Sequence, residues 1–234
     1  MCQTCGCGGA GDVPGTYRLL RPEQDLLAHN DQLAAQNRAW LAANRLVGIN
    51  LLSSPGAGKT SLLVASLPSL GERVAGVIEG DQQTELDAAR IRASGVPAVQ
   101  IQTGAACHLD AQQVARGLAQ LAPSPSAAPR LLLIENVGNL ICPADFDLGE
   151  ACRVVVLSVT EGEDKPLKYP QVFRRADLLV ISKLDLLPAV DFDVAACVAA
   201  ARQNNPGLPV ICLSAKQGQG MDTWYAWLEQ RLCV

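Results

Sequence analysis

The sequence has few histidines and no long hydrophobic segment, and both absences narrow the classes of protein that fit. Its 234 residues include two histidines, His29 and His108, so no histidine-rich tract for bulk metal storage is encoded. No apolar run approaches the length that crosses a membrane, and the first residues lack the charged-then-apolar layout of a secretory signal. We therefore expect a cytoplasmic protein that makes no contact with a membrane.

An excess of positive charge is also missing. The chain has 19 Lys and Arg residues against 23 Asp and Glu, which gives a net charge of −4 and a pI near 5.2. This balance argues against a nucleic-acid-binding protein. The length is sufficient for one α/β domain with a large core and a short appendage.

Cysteine, in contrast, is abundant, with nine residues. Cysteines stay reduced in the cytoplasm, and clustered ones there indicate a metal site rather than disulfides. Cys2, Cys5 and Cys7 lie in the glycine-rich stretch MCQTCGCGGAGDVPG, which does not favour a helix or strand. We expect residues 1–24 to be a flexible arm whose thiolates, with the N-terminal amine, bind Ni²⁺ or Zn²⁺. The alternative is a disordered tail with incidental or redox-active thiols.

The motif with the clearest chemistry is SSPGAGKT at residues 53–60, between an apolar run and a helix-like run. The backbone N–H groups of such a turn hold an anion at the helix N-terminus. Lys59 would reach the β- and γ-phosphates of a nucleotide, and the Thr60 hydroxyl would bind Mg²⁺. Ser53 stands where the usual motif has glycine, and a chance glycine-rich connection is the alternative. The predicted phosphate-binding residues are Gly56, Ala57, Gly58, Lys59, Thr60 and Ser61.

Strand and helix patterns alternate along the rest of the chain. The predicted strands are 46–52, 74–78, 98–102, 131–135, 154–159, 178–182 and 210–213. The predicted helices are 61–70, 85–94, one capped by Asp110 and ending near 121, 192–204 and 222–232. Continuous apolar strands separated by helices indicate a mostly parallel sheet covered by helices on both faces, with ligands beyond the carboxyl ends of the strands.

A separate helix over residues 25–44 is predicted to lead this main domain, which spans residues 25–234. Its apolar side chains fall roughly on one face, which we expect to pack on the domain or on a partner. These residues are Leu26, Leu27, Leu33, Trp40, Leu41 and Ala42. His29, among polar neighbours, is expected to face solvent.

Acidic residues at strand ends extend the nucleotide-binding hypothesis. Glu135 could hold Mg²⁺ through water, and the N–H of Gly138 could reach a γ-phosphate, which would make this segment a switch. Asp81 is the candidate for positioning the attacking water or completing the Mg²⁺ shell, and capping the next helix is its alternative role. Together with Lys59, these are the predicted catalytic residues.

The motif SKLD at residues 182–185 follows another strand. The carboxylate of Asp185 can accept two hydrogen bonds from the edge of guanine, whereas adenine lacks the second donor. Lys183 would lay its aliphatic stem along the base. GTPases usually have asparagine in place of Ser182, which weakens the case for guanine, and a common surface pair is the alternative. The predicted second base loop is Ser214, Ala215 and Lys216.

A second metal site is suggested by Cys107 and His108, adjacent in a loop before a helix, and by Cys142, which follows the switch. Such a sulfur and nitrogen set suits Zn²⁺ or Ni²⁺. Burial as small hydrophobic residues is the alternative, and we prefer that interpretation for Cys197 and Cys212. If Cys142 binds metal, metal affinity and nucleotide state are coupled in both directions.

The combination of these segments resembles the HypB family, the nickel-incorporation GTPases of nickel–iron hydrogenase maturation. The resemblance covers nearly the whole chain, and its last two blocks are the most specific. The blocks are CQTCGC at 2–7, SSPGAGKT at 53–60, EGDQQT at 79–84, GAACHL at 104–109, ENVGNLICP at 135–143 and SVTEGEDKPLKYP at 158–170.

The resemblance implies a P-loop GTPase of the SIMIBI type that uses GTP, Mg²⁺, Ni²⁺ and Zn²⁺ and delivers nickel. It implies that Cys107, His108 and Cys142 form a metal site near a dimer interface, and that the cysteines at 2, 5 and 7 match a terminal nickel motif. The homodimer would be favoured by GTP. The implied partners are a HypA-type zinc protein, the hydrogenase large subunit and a SlyD-type nickel chaperone.

Three other functions fit parts of the sequence. One is a related GTPase that serves urease or cobalamin proteins, although the terminal cysteines and the block around Glu161 oppose it. Another is a metal buffer or sensor with a vestigial nucleotide fold, which would not hydrolyse GTP. The last is a zinc protein whose sites are structural, which competitive titration of nickel and zinc would identify.

Overall fold

The computed structural model describes residues 21–82, 85–104 and 106–233. Within these residues, seven strands form one sheet. They are β1 (Leu46–Ser53), β2 (Val74–Asp81), β3 (Ala98–Gln102), β4 (Arg130–Glu135), β5 (Cys152–Ser158), β6 (Leu178–Ser182) and β7 (Val210–Cys212).

The strands lie in the order β3-β2-β4-β1-β5-β6-β7, and every neighbouring pair is parallel. All carboxyl ends therefore meet at one edge of the sheet. β1 is flanked by β4 and β5, so it lies where the strand order changes direction, the usual place for a ligand in such sheets. The register sets Leu51 beside Glu135 and Glu135 beside Glu79.

The helices of the described chain cover both faces of the sheet. They are α1 (Arg21–Ala43), α2 (Lys59–Leu70), α3 (Leu86–Arg92), α4 (Ala111–Leu121), α5 (Lys165–Lys168), α6 (Pro170–Arg174), α7 (Val194–Asn204) and α8 (Met221–Leu232). Short 3₁₀ helices occupy Gly71–Arg73, Cys142–Ala144 and Leu184–Ala189. None of these helices is long and apolar enough to cross a membrane.

Alternating strand residues build separate cores on the two faces. One cluster joins Ile49 and Leu51 of β1 to α2, α3 and α8, with Trp224 fully buried. On the opposite face, one cluster includes Leu52 and the residues of α6 and α7, and another lies under α1 and α4. The fold class is confirmed: the chain has a P-loop α/β fold with a parallel sheet between two layers of helices.

The predicted elements are present with shifted ends. Asp110 caps α4 as expected, and its side chain and that of Gln113 exchange hydrogen bonds with backbone N–H groups. β2 does not end at Ile78 but continues to Asp81, because its last residues pair with β3. Asp81 is the last residue of this strand, in agreement with its predicted place at a strand end.

The predicted face of α1 is wrong in part, because Leu41 is buried and Leu27 and Leu33 are half-buried but the other three predicted residues face solvent. Leu26 is 57% exposed and Trp40 is 39% exposed, and Ala42 also faces solvent. The buried positions are Asn30, Ala34, Asn37 and Leu41. The periodicity of apolar residues missed this face because two of its members are amides that meet backbone groups of neighbouring loops.

The helix α1 also starts earlier than predicted, at Arg21 rather than at residue 25, so the end of the predicted arm belongs to the helix. The cysteines at positions 2, 5 and 7 lie outside the described residues. The division of the chain into an arm and a domain at residue 24 otherwise stays a prediction. His29 is exposed, as expected.

Candidate functional site

The carboxyl ends of β1, β2 and β4 open onto a cleft of about 530 Å³. Its walls are the loop between β1 and α2, the acidic ends of β2 and β4, and the segment after β4. The cleft is lined by Gly56, Gly58, Lys59, Thr60, Ser61, Glu79, Asp81, Glu135, Gly138 and Lys183, among others. The structure thus brings the four predicted catalytic residues, which lie on three different segments, around one space.

The loop between β1 and α2 has the geometry of an anion cradle. Gly56 has φ 74° and Gly58 has φ 98°, a left-handed conformation that favours glycine. Lys59 begins α2 and is buried, and its Nζ donates a hydrogen bond to Ser53 Oγ at 2.7 Å. Burial lowers the pKa of Lys59, although the nearby carboxylates, above all that of Glu135, oppose this. Ser53, the departure from the usual motif, therefore contacts the lysine directly.

A cluster of buried carboxyl groups lies opposite this loop. The Thr60 hydroxyl donates to Glu135 Oε1 at 2.7 Å, while Glu135 Oε2 has no hydrogen-bond partner among the described residues. Burial raises the pKa of Glu135. Buried oxygen atoms without partners, beside a threonine hydroxyl, are a donor set that suits Mg²⁺. The residues present therefore fit a magnesium ion at this place.

Glu79 belongs to the same cluster, although the sequence interpretation did not single it out. It is 3% exposed, and its Oε2 also lacks a partner in the described part of the chain. Burial, followed by the charges of Glu135 and Asp81, raises the pKa of Glu79 to about 8. The sequence does offer one indication: Glu79 lies two residues before Asp81, so the two side chains share a face of β2, the strand that pairs with β4.

Asp81 lies at the rim of the cleft. Its carboxylate accepts a hydrogen bond from the N–H of Gln82 at 2.6 Å. It does not cap the next helix, because α3 begins at Leu86 with Glu85 in the N-cap position. The alternative role that the sequence left open for Asp81 is therefore wrong, and its role toward water or Mg²⁺ stays a prediction. Arg90 of α3 also lines the cleft, where it pairs with Asp87 at 3.0 Å.

The segment after β4 contacts two other loops. A Cβ atom at Gly138 would lie 2.8 Å from Cα of Pro55, so glycine is needed for this close approach to the phosphate loop. Asn139 forms an isolated bridge with Ser53. On its other side, Asn136 Oδ1 accepts a hydrogen bond at 2.9 Å from the N–H of Leu109. The segment therefore joins the phosphate loop to the loop that carries Cys107 and His108.

A smaller cavity of about 280 Å³ adjoins the cleft. Lys183 lines both spaces and donates from Nζ to the carbonyl of Gly56 at 2.6 Å. The Ser214 hydroxyl donates to Asp185 Oδ1 at 2.6 Å, which connects the two predicted base loops. Ala215 and Lys216 complete this wall. The cavity is the place where the predicted base-binding residues converge.

Ser182, which stands in place of the expected asparagine, is buried at the end of β6. Its hydroxyl donates to the carbonyl of Ala57 at 2.6 Å. Ser182 therefore fixes the strand to the phosphate loop, a contact that does not require asparagine. Lys165, to which the sequence pattern assigns no role, also meets the phosphate loop: its Nζ lies 3.3 Å from Ser54 Oγ and 3.4 Å from Glu161 Oε2.

Cys107, His108 and Cys142 lie together beside the cleft, with their candidate ligand atoms within 4.8 Å of one another. Burial lowers the pKa of His108, whose ring packs on Phe146 with centroids 4.1 Å apart, and this favours the neutral form that binds metals. A hydrogen bond with Cys142, and then burial, raise the pKa of Cys107. Two sulfur atoms and one imidazole suit Zn²⁺ or Ni²⁺.

The remaining described cysteines lie away from this cluster. Cys197 is fully buried in the core, as expected, whereas Cys212 is half-buried and packs against the same core cluster. Cys152 is buried and Cys233 is exposed. Cys107 is shared by the two candidate sites, because it lines the nucleotide cleft as well as the metal cluster.

Comparison with known families agrees with this geometry. The family described as "CobW/HypB/UreG, nucleotide-binding domain" matches residues 48–212, which include the phosphate loop, the acidic strand ends, the Cys and His cluster and the first base loop at 182–185. The fold and the site thus define the class as a P-loop nucleotide-binding protein of this family.

Individual relatives narrow the family further. The chain is 60% identical over 215 residues to a hydrogenase maturation factor HypB of Azotobacter vinelandii, covering 92% of this chain and 70% of that protein. The crystal structure of HypB from Archaeoglobus fulgidus matches with a TM-score of 0.80 and 42% identity, over 88% of this chain and 99% of that one. The crystal structure of HypB from Helicobacter pylori in complex with nickel matches with a TM-score of 0.79 and 37% identity, over 87% of this chain and 94% of that one. The chain belongs to the HypB family of hydrogenase maturation factors.

Proposed function

We propose that this chain is a GTP-hydrolysing nickel metallochaperone that delivers nickel during the maturation of nickel–iron hydrogenase. The observation that carries the proposal is that Cys107 belongs to both the nucleotide cleft and the Cys and His cluster. Family membership and the nickel complex of the Helicobacter pylori relative support it.

In this proposal the phosphate loop binds the triphosphate. The amides of Gly56 to Ser61 and the ammonium of Lys59 hold the β- and γ-phosphates. Thr60, Glu135 and Asp81 hold Mg²⁺, which would neutralise charge on the phosphate oxygens when bound. Gly138 donates its N–H toward the γ-phosphate, and Asp81 orients the attacking water.

The base lies in the smaller cavity. Asp185 accepts hydrogen bonds from the N1–H and N2–H₂ groups of guanine, which gives selectivity for GTP and GDP. The stem of Lys183 covers one face of the base, and the loop of Ser214, Ala215 and Lys216 closes its edge. The contact between Ser214 and Asp185 at 2.6 Å orients the carboxylate for this task.

Nickel, or zinc in its place, is the cargo of the cluster formed by Cys107, His108 and Cys142. The γ-phosphate shifts the segment between Glu135 and Cys142, so hydrolysis changes the metal affinity. The terminal motif of Cys2, Cys5 and Cys7 is a second nickel site. Intrinsic hydrolysis is slow, because the sequence shows no arginine finger, which a partner would supply; Arg90, which lines the cleft, pairs with Asp87 at 3.0 Å.

The proposed setting is the cytoplasm, and the proposed assembly is a homodimer that GTP favours. The partners would be a HypA-type zinc protein, the hydrogenase large subunit as client, and a SlyD-type nickel chaperone. These assignments rest on membership of the family and on the position of Cys142 and of the exposed Ile141 at the surface of the switch segment.

The decisive experiment is a competitive titration of Ni²⁺ and Zn²⁺ on the intact chain and on a chain without residues 1–8 (the shortened chain). Each is titrated with GDP and with a non-hydrolysable GTP analogue, and GTP turnover is measured in parallel. We expect turnover, and a metal affinity of the shortened chain that differs between the two nucleotides. Metal binding without turnover would instead indicate a buffer, and equal affinities in both states would leave two uncoupled sites.

A further inference from the structure

Two buried asparagines of α1 connect the segments that carry the Cys and His cluster. Asn30 is 5% exposed and Asn37 is 4% exposed. Asn37 Nδ2 donates to the carbonyl of Ala111 at 2.8 Å and to that of Leu148 at 3.0 Å. Asn30 Nδ2 donates to the carbonyl of Asp147 at 2.8 Å, and its Oδ1 accepts from the N–H of Ala111 at 2.9 Å. Each amide therefore bridges the same two segments.

These two segments continue directly into the cluster. Ala111 begins α4, just after Cys107 and His108. Asp147 and Leu148 belong to the segment that starts at Cys142, and Phe146 of that segment contacts the ring of His108. The amides of α1 thus hold the start of α4 and the segment at 147–148 at a fixed separation. The three candidate ligands lie a few residues before these two points in the chain.

Close packing fixes α1 on the second of these segments. Gly149 has φ 88°, and a Cβ atom there would lie 2.6 Å from the carbonyl oxygen of Ala34 and 2.7 Å from Cβ of Asn37. Arg38 of α1 also contacts the carboxylate of Asp147 at 2.8 and 2.6 Å. A buried amide group that lacks hydrogen-bond partners destabilises the folded state, so the fold favours the one arrangement in which all its hydrogen bonds are made. Two amides with four such bonds determine the spacing of the loops more strictly than apolar contacts would.

We propose that Asn30 and Asn37 are positioning residues for the metal cluster: they fix the distance between the Cys107 and His108 pair and Cys142, and so set metal affinity and coordination geometry. This inference rests on the proposed function, because it requires that the cluster binds metal. Groups outside the ligand set commonly change metal affinity by about 10–100-fold when they are substituted.

The test uses the shortened chain, so that the cluster is measured without the terminal cysteines. Asn37→Asp keeps the size of the side chain, and because a carboxyl group has at most one O–H donor, at least one of the two donated hydrogen bonds is lost. We expect Ni²⁺ affinity to fall by about tenfold or more, and the absorption bands of bound Co²⁺ to shift, while GDP affinity stays within about twofold. The matched control is Asn44→Asp, just after the end of α1, whose side chain donates to the carbonyl of Trp40 in the last turn of that helix; it should change neither the affinity nor the bands.

Two further measurements keep the result decisive. If Asn37→Asp does not fold, Asn30→Ser, which removes the bridge to Asp147, is measured in its place and is expected to weaken Ni²⁺ binding in the same way. Parental Ni²⁺ affinity and an unchanged Co²⁺ spectrum in the folded variants would overturn the positioning role alone. A shortened parent chain that binds no Ni²⁺ would overturn the proposed metal site together with it.

Discussion

The nucleotide cleft and the Cys and His cluster share a wall but are built in different ways. The cleft takes its side chains from the ends of adjacent parallel strands, where the register sets Glu135 beside Glu79, and from one local motif. The cluster takes Cys107 and His108 from one loop and Cys142 from another. The first site is positioned by backbone pairing, and the second by side chains that hold loops.

Arg153 shows how far the loop of Cys142 depends on such side chains. Its guanidinium donates to the carbonyls of Ala144 and Phe146, each at 3.0 Å, and pairs with the buried carboxylate of Glu150 at 2.7 Å. Loops held in this way can shift without loss of sheet pairing. The comparison therefore predicts that, without bound metal, the cleft tolerates substitutions in the cluster, whereas the metal affinity of the cluster responds to changes in the segment between Glu135 and Cys142.

Among the substitutions that should affect the nucleotide cleft but not the Cys and His cluster, we expect the largest effect from Lys59→Ala. It removes the charge that contacts the phosphates, so GTP hydrolysis should fall by on the order of 100-fold to 1,000-fold, measured as phosphate release. Ni²⁺ binding to the cluster in the absence of nucleotide should not change. The exposed Lys168, paired with Asp164, is the matched control for loss of a lysine. Normal hydrolysis by Lys59→Ala would show that the phosphate loop is not the catalytic site.

The reverse change is Cys142→Ser in the shortened chain. Loss of a thiolate donor should weaken Ni²⁺ binding by about 100-fold. Substitution of groups that only support the ligands already weakens metal binding by about 10–100-fold, and the loss of a ligand itself should lie at the upper end of that range. GDP affinity measured without metal should stay the same, because the sheet positions the cleft. Cys233→Ser, at an exposed cysteine, controls for general thiol effects. A similar loss of Ni²⁺ affinity in both variants would show that binding at the cluster is unspecific.

A smaller effect is expected within the cleft from Asp185→Ala. A hydrogen bond to a charged group contributes about 1.5–3 kcal/mol, so the preference for GDP over ADP should fall by about tenfold or more. Competition between the two nucleotides measures this ratio. Asp193→Ala provides the control at equal loss of charge, because Asp193 caps α7 and does not line the cavity. An unchanged ratio would mean that the base does not meet this carboxylate.

The smallest effect concerns the pH dependence of stability in the metal-free and nucleotide-free chain. The folded state keeps a proton on Glu79 up to a pKa of about 8, whereas the unfolded chain releases it near the ordinary value of about 4.5. The unfolded state therefore binds fewer protons in this interval, and stability should fall as pH rises from about 5 to 8.

Glu79→Gln should flatten this pH dependence, because glutamine mimics the protonated side chain. Thermal unfolding at pH 5.5 and 8 is the measurement, and each kcal/mol corresponds to about 2–4 °C in Tm for a domain of this size. The exposed Glu72 provides the control position. The same slope in parent and Glu79→Gln would place the titration on another group.

The sequence predicted the sheet well because its strands are continuous apolar runs and its phosphate loop is a local motif. It failed on α1, where the buried face carries Asn30 and Asn37 rather than the apolar Leu26 and Trp40. It also passed over Glu79, since nothing local marks a carboxyl group whose neighbours come from another strand. In both cases the partners of a polar side chain lie far away along the chain.

The sequence by itself determined the succession of strands and helices along the chain, the phosphate loop, and the side chains that are candidates to bind nucleotide and metal. These depend on short-range patterns and on the chemistry of single side chains. Only the tertiary structure decided that Cys107 lines the nucleotide cleft, that Glu79 meets Glu135, and that amides of α1 join the two loops of the cluster. These are distances between residues remote in sequence, set by the register of the sheet and by the packing of loops against helices.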